Sequence, residues 1–106
     1  MTTQTMKPSE ILIAARELIS VPDQWTQRIY ARDKDGKSNW IHSSESVCFC
    51  SSGAIRRVSR FDYASSMTFL VEEMGGEVTD YNDTHTHAEV IAAFDRAIVA
   101  AKDAGQ

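Results

Sequence analysis

The chain has 106 residues, 42% of them hydrophobic and 25% charged, with a formal net charge of −4. That length fits one domain with one real core, and that composition excludes wholesale disorder. The acidic balance argues against non-specific nucleic-acid binding, which needs Lys and Arg to neutralise phosphates, and suits a protein partner instead.

Met1 to Lys7 is polar and Thr-rich, with none of the apolar core of a secretory signal, and is expected to be a flexible tail. Residues 8–106 are expected to form a single globular domain. Pro8 suits the first turn of a helix, and Ile11, Leu12, Ala15, Leu18 and Ile19 follow an amphipathic helical period. Pro22 ends that helix, and Trp25 is expected to fold back over its end.

Gln27 to Asp33 reads as a strand, Asp33-Lys34-Asp35-Gly36 as a turn, and Ser38 to His42 as the return strand of a hairpin. Ser43 or Ser44 is placed to cap a second helix carrying Val47, Cys50, Ala54, Ile55 and Val58 inward, with Gly53 in its middle allowing close approach of another helix or a ligand. Cys48 and Cys50 then point about 200° apart and cannot pair, which favours buried structural thiols in a reducing cytoplasm. Asp62 is placed to cap a third helix with Tyr63, Met67, Leu70, Val71 and Met74 inward, ended by Gly75-Gly76. After a polar segment, Val90, Ile91, Phe94, Ala97, Ile98 and Ala101 line the last helix. The expected fold is α+β, mainly four helices with one β-hairpin. No apolar run approaches the ~20 residues that cross a bilayer.

The densest chemistry lies in Tyr81-Asn82-Asp83-Thr84-His85-Thr86-His87-Ala88-Glu89. Asp83, His85 and His87 are suitable ligands for zinc, iron or manganese, which would serve a metal-dependent hydrolase. Against this, Thr86-x-x-Glu89 is a capping box, which commits Glu89 to structure and leaves Asp83 to a turn with Asn82. The capping reading is preferred, and no cofactor or metal is expected.

Arg56, Arg57 and Arg60 cluster near a helix end. They read either as an anion pocket, since guanidinium forks match phosphate oxygens, or as a solvated face paired with Asp62, Glu72 or Glu73. Tyr30 and Trp40, on the hairpin, are candidate interface residues for a partner or a second copy of the chain, because a two-stranded hairpin is marginal alone. No Gly-rich phosphate loop, nucleophile elbow or zinc ribbon is present, so catalysis has no positive motif.

At Cys50-Ser51-Ser52-Gly53-Ala54-Ile55-Arg56-Arg57, Tyr81-Asn82-Asp83, Thr86-His87-Ala88-Glu89-Val90 and Ala93-Phe94-Asp95-Arg96-Ala97-Ile98, the chain resembles a family of short uncharacterised proteins of bacteria and their phages. The likeness runs from Ile11 to Ala101, with Tyr81 where Trp is expected. It implies a small accessory protein and transfers no activity or functional residue. The expected function is a non-enzymatic binding protein of the host cytoplasm, a phage-encoded inhibitor of a host defence system or host enzyme. The alternative is an oligomer that binds or sequesters a nucleotide.

Overall fold

Three helices make the frame of this protein, whose computed structural model describes residues 6–106; the tail expected over residues 1–7 lies, up to residue 5, outside them. α1 (Pro8–Leu18), α3 (Ala64–Met74) and α5 (His87–Asp103) pack on one another, and α2 (Ser51–Val58) closes against α1. Pro8 occupies the first turn of α1, where its missing N–H costs nothing. The Lys7 N–H donates to Glu10 Oε1 at 2.7 Å, which satisfies one amide at the helix start.

The core is the set of inward stripes read from the sequence. Ile11, Leu12, Ala15 and Ile19 meet Leu70 and Met74, Ala54 and Ile55, and Val90, Phe94, Ala97 and Ala101. Ala93 adds a small buried position on α5. α3 starts at Tyr63 without a side-chain cap, so Asp62 does not play the expected role, and Val71 lies outward. Its C-terminus is as expected: Gly75 takes φ 73°, and the amides of Gly75 and Gly76 both reach the Val71 carbonyl.

The hairpin is real but built from other residues. β1 (Ala31–Asp33) pairs antiparallel with β2 (Ser46–Phe49), Ala31 opposite Phe49 and Arg32 opposite Cys48. The expected return strand at Ser38–His42 contributes one bridge, Ser38 to Arg32. The reason is burial. Ser46 and Phe49 place a buried face on the core, whereas Ile41 is the one apolar residue of Ser38–His42 besides the exposed Trp40. The second helix therefore begins later than expected. Val47 and Cys48 belong to the strand, and Cys50, not Ser43 or Ser44, is the N-cap, its sulfur accepting from the Gly53 N–H at 3.3 Å. Gly53 is the third residue of α2, and what approaches it is backbone: a Cβ there would overlap the Tyr30 carbonyl oxygen. A single 3₁₀ turn, Pro22–Gln24, precedes the hairpin.

The polar segment after Gly76 is a further helix, α4 (Val78–Thr84), so the described residues hold five helices. Its inward residues are Val78 and, one turn on, Asn82. An apolar periodicity search passes over a helix whose central buried side chain is an amide.

Candidate functional site

Asn82 is fully buried and is the polar centre of the molecule. Its Oδ1 accepts from Trp25 Nε1 at 2.7 Å, from the Ser51 amide at 2.9 Å and from Ser51 Oγ at 2.7 Å. Its Nδ2 donates to the Thr26 carbonyl at 3.0 Å and to Asp83 Oδ1 at 3.2 Å. Its own carbonyl accepts from Gln27 Nε2 at 3.0 Å. One side chain thus ties α4 to the start of α2 and to the Trp25–Gln27 segment. Asp83 does not make a turn with Asn82, as expected from sequence, but stands in α4, where its Oδ1 accepts from the Arg28 amide at 2.7 Å. Arg28 has φ 72°, a left-handed conformation uncommon for a residue with a side chain.

The rest of the nine-residue cluster is structural in its contacts. Thr86 caps α5: Glu89 N–H donates to Thr86 Oγ1 at 3.2 Å, and Thr86 N–H donates to Glu89 Oε1 at 2.9 Å. The Thr86 N–H bond first, then the one that Thr86 Oγ1 donates to Glu89 Oε1 at 3.1 Å, hold the Glu89 carboxyl below its usual range. The two histidines part. The ring of His85 stacks on Tyr81 at 3.6 Å with its Nδ1 2.9 Å from the Tyr81 carbonyl. His87 Nε2 lies 2.7 Å from the Ile19 carbonyl at the end of α1, and its ring meets Trp25 at 5.6 Å. Trp25 is therefore linked to the end of α1 through His87. Among the described residues no three His, Cys, Asp or Glu side chains gather as a metal site.

The three arginines are spread over different tasks, and none pairs with Asp62, Glu72 or Glu73; the partner of Glu73 is Arg96, at 3.3 Å. Arg57 donates to the carbonyls of Ile41 at 2.6 Å and Ser43 at 2.8 Å, and so pins the loop that leads to β2. The Arg56 guanidinium lies over the rings of both Tyr30 and Tyr63, 5.2 and 5.1 Å from their centroids. Arg60 lies over Trp40 at 5.2 Å. His42 meets the edge of the same indole at 5.2 Å. Desolvation, then the charges of Arg60 and Arg57, hold this imidazole below its ordinary range, so it is neutral at pH 7. Trp40 is 60% exposed, and Phe61, next to Arg60 in the chain, is 89% exposed. Sequence reasoning named Trp40 and Arg60 but passed over His42 and Phe61; an aromatic between Arg60 and Asp62, outside every apolar stripe, was the available signal.

A separate cavity of about 310 Å³ is lined by Arg28, Ile29, Tyr30, Cys50, Thr79 and Asp83. Burial pushes the Cys50 thiol up, against the opposing pull of the Gly53 amide, so the sulfur is protonated at neutral pH and poorly suited to nucleophilic attack. Both cysteines are free, and Cys48 donates to the Asp23 carbonyl at 3.1 Å. No helix among the described residues is long and apolar enough to cross a membrane.

Neither the curated proteins nor the solved structures yield a significant match to this chain. A family model does, over residues 3–100, which is nearly the whole sequence and includes the Asn82 centre, the α5 cap and the arginine face. The chain belongs to that family, DUF6197, a family of unknown function.

Proposed function

We propose that this protein is a non-enzymatic binding protein that docks a protein partner on the face formed by Trp40, His42, Arg60 and Phe61. The observation that carries this reading is the pairing of the exposed Trp40 ring with the Arg60 guanidinium, which has no carboxylate partner among the described residues, beside the strongly exposed Phe61 that follows Arg60 in the chain. Exposed Trp, Phe and Arg together are the residue types that dominate binding energy at interfaces. The rest of the chain is acidic, so a local cationic and aromatic face fits a partner segment that is acidic and apolar. Tyr30, under the Arg56 guanidinium, is a further exposed aromatic.

The small size and the resemblance to accessory proteins of bacteria and phages support reading this binding as inhibition of a host defence system or a host enzyme in the host cytoplasm. Nucleotide binding by Arg56 and Arg57 is the weaker reading. Arg57 is already committed to two carbonyls, and Arg56 is held between two rings.

The test is capture from host extract, followed by native mass spectrometry of the complex. The expected result is one host protein in stoichiometric amount, lost with Arg60→Glu or Phe61→Ala while the circular dichroism of the variants is unchanged. A co-purifying nucleotide, or a transition metal at one per chain without a protein partner, would overturn the proposal.

A further inference from the structure

The cavity beside α4 uses none of Trp40, His42, Arg60 and Phe61, and its chemistry is different. We infer that it is a binding site for a free α-amino acid with an apolar side chain, the ammonium held by Asp83 and the carboxylate by Arg28. About 310 Å³ is at the lower end of the ~300–1,000 Å³ span of ligand pockets, a size for a single small molecule.

The polar groups on its wall carry the argument. Asp83 Oδ1 is fixed by the Arg28 amide and by Asn82 Nδ2, while Oδ2 makes no hydrogen bond among the described residues. The carboxylate is thus oriented by the buried Asn82 centre yet keeps one oxygen for a donor. Arg28 sits on the same cavity, and its guanidinium makes neither a hydrogen bond nor an ion pair among the described residues. Two opposite charges line one cavity without neutralising each other. A ligand bearing both charges can pair with both, whereas a simple cation pairs with Asp83 alone and makes no use of the exposed Arg28 guanidinium. Ile29, Tyr30 and Cys50, its thiol kept protonated by burial, line the rest of the cavity and offer apolar contact to the side chain. Thr79 adds a hydroxyl at the rim.

Arg28→Gly separates this site from the fold. Glycine adopts φ 72° without strain, keeps the amide that bonds Asp83, and removes the side chain with its guanidinium. Isothermal titration of the intact protein with L-leucine, L-methionine and L-phenylalanine is the experiment, with N-acetyl-leucine and leucinamide as controls. At least one amino acid is expected to bind at millimolar concentration or tighter. Each blocked compound, and each of Arg28→Gly and Asp83→Asn, should weaken binding roughly tenfold or more. Amide chemical shifts of Arg28, Ile29, Thr79 and Asp83 should move in the titration. If Asp83→Asn unfolds, Arg28→Gly with leucinamide still decides. Absence of heat and of shifts with all three amino acids overturns the inference. So does leucinamide binding as well as leucine, since a cation alone would then suffice. The host-partner experiment reads neither Arg28 nor Asp83, so the two proposals fail separately.

Discussion

The helical frame and the segment from Val21 to Phe49 are held by opposite physics. In the frame, α1, α3 and α5 join through apolar side chains that are almost all fully buried. In the hairpin segment only Ala31 and Phe49 are buried apolar residues. What fixes that segment is polar: Asn82 holds Trp25 and Thr26, Asp83 holds the Arg28 amide, Arg57 holds Ile41 and Ser43, and Arg32 ties Thr26, Gln27 and Gly36 together. Every buried side-chain polar atom among the described residues has a partner. A small domain can therefore place an irregular segment by a few directed bonds, at the cost that a lost partner leaves a buried polar group unsatisfied.

The contrast predicts which substitutions break which region. Phe94→Ala opens the centre of the frame and should cost ~3–5 kcal/mol, read as one cooperative loss in chemical denaturation. Asn82→Ala should cost nearly as much, ~3 kcal/mol or more, because it strands the Trp25 indole N–H and the Ser51 donors together. Its signature should differ. Hydrogen exchange should rise first in Thr26 to Phe49, while the α1–α3–α5 amides stay protected. Equal loss of protection in both regions would show that the hub supports the frame as well.

Gly53→Ala tests the joint between the two regions. The added methyl meets the Tyr30 carbonyl, a backbone atom that cannot step aside, so ~1–3 kcal/mol of overpacking is expected. Cys50 N–H bonds the same carbonyl at 3.2 Å, so the strain should appear as altered shifts at Tyr30 and Cys50. A neutral effect would mean that the hairpin rides loosely on α2.

The smallest effect belongs to the frame's own edge. Thr86→Ala should cost ~0.5–2 kcal/mol in thermal unfolding, by exposing the Glu89 amide. The sign of its pH dependence is fixed. The folded Glu89 carboxyl is held below its unfolded value of ~4.3, so its contribution is present above that pH and fades as pH falls through the lower, folded value. The wild type should therefore lose more stability than Glu89→Gln on acidification below ~4.3; parallel curves would remove the Glu89 carboxylate from the cap.

Much of the frame was legible in the residues themselves. The stripes of α1 and α5, the stop at Gly75 and the Thr86–Glu89 box are local: periodicity, a positive φ and a three-residue spacing determine them within one or two turns of chain. Two errors share one cause. The return strand was expected at Ser38–His42, and α4 was read as a polar loop. In both, the deciding contact is remote: Phe49 is chosen by the core that lies under it, and Asn82 is buried because Trp25, Thr26 and Ser51, far apart in the chain, converge on it.

The proposed sites divide the same way. By itself the sequence determined a small acidic chain with mostly local helices, a capped closing helix and an arginine cluster near a helix end. Only the tertiary structure decided that Arg57 serves the loop and Arg60 the indole, that His85 and His87 face different partners, and that Arg28 and Asp83 share one cavity. The physical reason is directionality. Apolar burial needs only a face, which periodicity records, whereas a hydrogen bond or a charge pair needs a partner at a set distance and angle, and that partner lies elsewhere in the chain.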